Sequence, residues 1–243
     1  FRALFDTKYR QPEGPLFISS ASGFHVTDVS DPSDPQVVAS ASSITGQLYG
    51  MVEHPFEPVV YGAIESGAIV SIDVKTLTNP KSQIDAAFLQ VETFDVAIGP
   101  NNQIFLAGYD LSLQSFDITS PLQPSFASSI EGIASPTNLA ESVIEISGGM
   151  AVVASNRDGY RLIDVSSPYQ MMVVYEGSTP SQIYDLAFFE GYLLLASQDE
   201  GLVIIDIAIP SAPEVVATIP LSGTPRGVHL DLHRVTLATS ATL

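Results

Sequence analysis

The feature that most constrains this chain is a segment that returns along almost its whole length. Each copy is a short apolar strand, a turn, and an alternating strand that ends in Asp followed by an aliphatic residue. The copies read FISSASGFHVTDVSDPSDP from Phe17, VYGAIESGAIVSIDVKTLTNP from Val60, IFLAGYDLSLQSFDITSPLQP from Ile104, VVASNRDGYRLIDVSSP from Val152 and LLASQDEGLVIIDIAIPSAP from Leu194. A sixth, TLATSATL from Thr236, stops early. The closing aspartates, Asp28, Asp73, Asp117, Asp164 and Asp206, lie 45, 44, 47 and 42 residues apart.

A strand-rich period of about 40–50 residues is that of a four-stranded propeller blade, and the 3.6-residue pattern of a helical repeat is absent. In the fifth copy, strands are expected at 183–190, 192–198, 202–207 and 214–219. They are separated by Gly191, by Asp199, Glu200 and Gly201, and by a segment with Pro210 and Pro213. Glycine permits positive φ at a turn, and proline cannot donate to a central ladder. The second and third strands are almost wholly apolar, as suits strands covered on both faces by neighbouring sheets. Small residues recur in the second strand at Ser19, Gly62, Ala107, Ala154, Ala196 and Ala238, where close packing between sheets is expected.

One domain over residues 1–243 follows, an all-β propeller of six blades whose last blade is incomplete and reads as cut short at the carboxyl end. Residues 227–233 and 235–239 supply that blade's first two strands, and residues 1–5 alternate like an outer strand that would complete it, hiding an open edge. Five blades plus a capping hairpin is the alternative. Seven blades would need more residues than the 243 present.

The phrases VTDVSDPSDP, LIDVSSP and LVIIDIAIPSAP resemble the LVIVD repeat, an aliphatic strand leading into Asp and a Ser/Asp-Pro turn. The resemblance implies a β-propeller of exported bacterial and archaeal surface proteins, placed outside the cell, on its surface or in the periplasm. No catalytic residue set accompanies the motif.

Nine basic against 27 acidic residues give a formal charge of −18, which repels phosphate backbones and argues against nucleic acid as a partner. There is no cysteine, hence no disulfide or thiolate site. No apolar run reaches the ~18 residues needed to span a bilayer.

The repeated aspartates invite a ring of ligands, but each stands before a Ser/Thr/Pro turn, and the expected role of Asp28, Asp73, Asp117, Asp164 and Asp206 is to anchor that turn as buried carboxylates accepting backbone N–H bonds. A second acidic set, Glu65, Asp110, Asp158, Asp199 and Glu200, falls between the second and third strands. Glu92, Asp95, Glu141 and Asp185 lie in the connections at the same end. No cofactor or metal is expected and these loops read as solvated; calcium, which prefers clustered oxygen ligands, is the alternative around Asp158 or around Asp199 and Glu200, against which stand Arg157 and the lack of an EF-hand loop or calcium nonapeptide. His25, His54, His229 and His233 stand in unrelated contexts, and neither a GxSxG elbow nor a phosphate cradle occurs. Tyr109 and Tyr160 are expected to be exposed and able to bind a ligand, whereas Tyr49, Phe94 and Tyr184 occupy matching inner-strand positions suited to packing.

The leading expectation is a noncatalytic extracellular module that presents loops from a rigid propeller to a protein or glycan. Its rivals are a hydrolase or lyase with paired carboxylates on the axial acidic face, and a structural subunit that assembles through its incomplete blade.

Overall fold

The computed structural model describes residues 15–20, 23–41, 44, 48–64, 66–85, 92–133, 141–155, 157, 159–167, 169–179, 181–231 and 234–240. Among them are six antiparallel sheets, each built from strands consecutive in sequence. The first contains β1 (Leu16–Ser20), β2 (Gly23–Asp28) and β3 (Gln36–Ala41); the second, β4 (Leu48–Glu53), β5 (Val59–Ile64), β6 (Ile69–Asp73) and β7 (Lys81–Asp85). The third holds β8 (Thr93–Gly99), β9 (Gln103–Gly108), β10 (Leu113–Asp117) and β11 (Ser125–Ile130). The fourth holds β12 (Ser142–Ser147), β13 (Met150–Ser155), β14 (Gly159–Asp164) and β15 (Met172–Gly177). The fifth is β16 (Ile183–Phe189), β17 (Tyr192–Ser197), β18 (Gly201–Asp206) and β19 (Glu214–Ile219), and the sixth is the pair β20 (Thr224–Asp231) and β21 (Arg234–Ser240). The fifth sheet matches the strands read from the sequence to within one residue at each end. The sixth sheet is a two-stranded hairpin, compatible with an incomplete sixth blade and with a capping hairpin, and residues 1–5 lie outside the described residues.

Two compact units form, Phe1–Gly108 with Gln114–Ala127, and Tyr109–Leu113 with Ser128–Leu243. In the first, Phe24, Val26, Leu48, Val60, Val70 and Ile72 make one core cluster, and Tyr61, Ile69, Val96, Ile104, Leu106 and Phe116 another. In the second, Val152, Leu162, Leu186, Leu193, Leu195 and Ile205 pack between neighbouring sheets, and Leu194, Ala196, Leu202 and Val228 carry the packing on to β20. Covering on both faces explains why β9 is buried along its whole length and why Leu193 to Ser197 of β17 are all buried. The small residue of the second strand is buried in five sheets, as Ser19, Ala63, Ala107, Ala154 and Ala196. In the second sheet the matching residue is Ala63, opposite Ile69, and not Gly62, because Ala63 stands ten residues before its closing aspartate, as Ala107, Ala154 and Ala196 do. Ala238 is exposed.

The closing aspartates all make the same turn. Asp28, Asp73, Asp117, Asp164 and Asp206 each accept through Oδ1 the N–H two residues on, from Ser30, Lys75, Thr119, Ser166 and Ala208, at 2.7–2.9 Å. One residue further a four-residue β-turn begins in every sheet that has this loop, with Asp34, Asn79, Gln123, Gln170 and Ala212 donating to the carbonyls of Asp31, Thr76, Ser120, Ser167 and Ile209. Proline stands second in that turn at Pro32, Pro121 and Pro210, where its fixed φ suits the bend. Neighbouring sheets hold some of these turns: Tyr61 Oη donates to Pro121 O at 2.9 Å. The aspartates themselves are half-buried or exposed, not buried as expected, because each carboxylate leaves the strand end and folds over its own turn.

This geometry sets a pH dependence. The Ser166 hydroxyl and then the Ser166 N–H hold the Asp164 carboxyl below the usual carboxylate range. A depressed folded pKa contributes stability that is present above the unfolded value, about 3.9, and is lost as pH falls through the folded value. Asp164→Ala is expected to lower stability near neutral pH by under about 1 kcal/mol, since solvent screens the turn. The gap to wild type in melting temperature closes once the pH has fallen through the lowered folded value, where the carboxyl is protonated in both states. A gap that persists unchanged throughout the acid titration would show that the carboxylate's charge plays no part in the turn.

Candidate functional site

The opposite ends of the sheets differ from one another. There the connections between second and third strands meet the openings of the inner strands, and the second unit contains the best-organised examples.

The first is the loop Tyr109–Leu111. Two successive non-glycine residues are left-handed, Asp110 at φ 54° and Leu111 at φ 63°. Such conformations persist only where surrounding contacts determine them. Here Ser142 Oγ accepts the Leu111 N–H at 3.1 Å, and Asp110 O accepts the Ile133 N–H at 2.7 Å. Gly132 permits that approach, because a Cβ there would lie 2.9 Å from Asp110 O. Arg161 completes the arrangement. Its side chain is 8% exposed, and Nη1 donates to Leu111 O at 3.1 Å and to Glu131 O at 2.8 Å, while Nε and Nη2 both reach Glu176 Oε1 at 2.9 Å.

The second lies at the β17–β18 turn. Ser197 is buried and donates to Glu200 Oε2 at 3.0 Å. Its single proton is thereby used, so the 2.5 Å contact with Ser181 has Ser181 as donor. Ser181 Oγ also accepts the Asp199 N–H at 3.3 Å. Beside it, the Tyr184 hydroxyl lies 2.8 Å from Gln182 Oε1 and 2.7 Å from Gln198 Oε1. A phenol has one proton, so one amide must present nitrogen instead. Gln198 Nε2 already faces Asp199 Oδ1 at 3.3 Å, which fixes Gln198 as the acceptor and Gln182 as the donor. Hydrogen bonds then run one way, from the Gln182 amide through the Tyr184 hydroxyl to Gln198 and on to Asp199.

Arg226, exposed on β20, places its guanidinium carbon 3.9 Å from the centre of the Tyr184 ring. The position is built by a bulge in four inner strands, β4, β8, β16 and β20, whose registers shift at Leu48/Met51, Thr93/Asp95, Ile183/Asp185 and Pro225/Gly227, while β12 pairs regularly. The bulge turns Tyr49, Phe94, Tyr184 and Arg226 toward adjacent sheets. Tyr49 and Phe94 meet in the first unit with ring centres 5.0 Å apart and planes tilted by 57°, so Arg226 on Tyr184 is the corresponding contact with a cation in place of a ring. Asp185 secures the pair by accepting the N–H of its neighbour Leu186 and that of Val228 on β20, both at 2.9 Å.

Of the residues singled out from sequence, Asp199 and Glu200 belong to this second cluster, and Tyr109 and Asp110 to the first. Asp158 and Glu65 lie outside the described residues. Tyr160 is not exposed as expected: it retains 5% of its surface, sits over Gly177 and beside Tyr175, and burial pushes its hydroxyl pKa up to about 12. Aligning GYRLID with GLVIID puts Tyr160 on Leu202, a core position, which the local reading of an Asn-Arg-Asp-Gly loop had missed. Arg161, Gln182, Gln198 and Arg226 were also missed. The signal was there, because Arg161 replaces Val203 and Arg226 replaces Tyr184 when the copies are laid together. Among the described residues no three His, Cys, Asp or Glu side chains come together as a metal site.

The LVIVD repeat family matches residues 16–42, 140–179 and 182–219, the first, fourth and fifth sheets. Those three share a further bulge, two residues before the closing aspartate, at Val26/Thr27, Leu162/Ile163 and Ile204/Ile205, while the β6–β7 pairing of the unmatched second sheet is regular. No curated protein matches the sequence. Among solved structures, the chain resembles the periplasmic gluconolactonase of Pseudomonas aeruginosa (11% identity, TM-score 0.74, 96% of this chain and 72% of that one). It also resembles the Cps50 (Swd1) beta-propeller domain from Myceliophteria thermophila (13%, 0.74, 95% and 77%). The computationally designed Ika8 protein is similar at 12% identity and TM-score 0.70, with 93% of this chain covering 65% of that one, so the chain spans just under two thirds of its length. At such identities the likeness is one of fold.

Proposed function

The chain carries LVIVD repeats on a β-propeller fold, and from that premise we propose that it is a noncatalytic binding module, working outside the cytoplasm, that presents the rim around Ser181, Tyr184, Gln198 and Arg226 to a protein or glycan. The observation that carries this reading is the contrast between the two ends of the sheets. One end repeats the same aspartate turn five times, with its carboxylates engaged by their own backbone. The other holds polar side chains that differ from sheet to sheet and are ordered before any ligand arrives. Side chains already fixed by neighbours lose little conformational entropy on binding, which favours affinity. Uniform structural turns on one side and individual, preorganised groups on the other are what a scaffold with a variable binding face requires.

A glycan and protein array probed with the wild-type chain and with Gln198→Ala tests the reading. Binding that weakens by about tenfold in the variant, at unchanged melting temperature, is the expected result. Turnover of a glycoside, ester or lactone that Gln198→Ala or Glu200→Gln abolishes would establish an enzyme instead.

A further inference from the structure

Resting on that reading, we infer that the Arg226–Tyr184 pair is a subsite for the carboxylate of an acidic saccharide. Arg226 is one of nine cationic side chains in a chain of charge −18, and it stands on the surface. The Tyr184 ring lies against the guanidinium, 3.9 Å from its carbon, and the side chain is exposed to solvent. A guanidinium supported by a ring keeps the planar fork that matches a carboxylate with two parallel hydrogen bonds. Asp185, one residue along from Tyr184, accepts the amides of Leu186 and Val228. Tyr184 in turn is fixed by Gln182 and Gln198, so the platform under the cation is itself rigid.

The neighbouring groups select a sugar over other anions. Once Gln182 donates to the phenol, its carbonyl is free to accept a hydroxyl, and the exposed Asp199 carboxylate next to Gln198 is a second acceptor. Sulfate and a run of acidic side chains bring no hydroxyl donors for these acceptors, and phosphate brings only the protons on the anion itself, whereas a uronate ring carries the carboxylate and separate hydroxyls together. Arg226 occupies a face of the Tyr184 ring, so a neutral sugar cannot stack there and the subsite reads charge.

Calorimetric titration of a galacturonate hexasaccharide at about 0.15 M salt, where long-range repulsion from the acidic chain is screened, tests this directly. Wild type is expected to bind it and to ignore the same oligosaccharide after methyl esterification. Arg226→Gln should weaken binding by about tenfold to a hundredfold and Arg226→Lys by somewhat less, both with unchanged melting temperature. Equal affinity for the methyl ester, tighter binding of a sulfated hexasaccharide or of hexaglutamate, an indifferent Arg226→Gln, or no binding of the galacturonate would each overturn the inference. In those cases, a ligand found on the arrays whose affinity depends on Gln198 and not on Arg226 leaves the binding-module reading standing; silence on the arrays ends both.

Discussion

Arg161→Met should cost about 3 kcal/mol, a fall of about 6–12 °C in melting temperature for a chain of this length. The side chain is buried, and its loss leaves the Leu111 carbonyl without a donor inside the second unit and frees the left-handed loop at Asp110 and Leu111. Its ionic partner is of less consequence. Glu176 is 52% exposed, and water can replace it, so Glu176→Gln is expected to cost only about 0.5 kcal/mol. Urea denaturation of both variants separates the effects. Equal losses would mean that the ion pair, and not the bonds to the loop carbonyls, gives Arg161 its weight.

Gly201→Ala is expected to cost about 3 kcal/mol, and Gly191→Ala about 1 kcal/mol, although both glycines have nearly the same backbone. Gly201 has φ +83° and Gly191 φ +89°, so each alanine meets the same left-handed strain. At Gly191 a Cβ enters open space. At Gly201 it runs into the carbonyl of Ile219 and the amide of Leu221, backbone that closes the fifth sheet, so a strand must move. Gly159 repeats this crowding against the Gly177 carbonyl in the fourth sheet and should behave like Gly201. A calorimetric comparison in which the Gly191 and Gly201 variants melt together would refute the packing argument.

Those glycines show why so much of the fold was legible in the sequence. The repeat is written in positions where few residues work: glycine at a hairpin with positive φ, aspartate at a strand end that folds over its own turn, proline in the bend that follows. Because these constraints are local, five copies spelled the same strands, and the positions held. What the sequence concealed was set between sheets. Tyr160 read as a loop residue because its neighbours Asn156, Arg157 and Asp158 are polar, yet its side chain turns to the face that Gly177 leaves open. Gly62 looked like the small residue of its strand until pairing placed Ala63 opposite Ile69. Arg226 is in an unremarkable stretch of sequence. Its significance comes from a bulge in β20 and from a tyrosine on β16, two elements that no local pattern connects.

The same separation bears on function. The turns that carry the family resemblance are the ones most occupied with their own backbone, while the rim that varies between copies has no motif to recognise. The binding face proposed above rests on the hydrogen bonds of Tyr184, Ser197 and Gln198, and not on the repeat.

Backbone amide chemical shifts recorded while a ligand from the arrays is titrated in test the central claim most directly. The account predicts perturbations confined to residues 181–184, 197–200 and 224–228, with the aspartate turns at 164–170 and 206–212 undisturbed. Shifts centred on those turns, or spread evenly over the sheets, would contradict it.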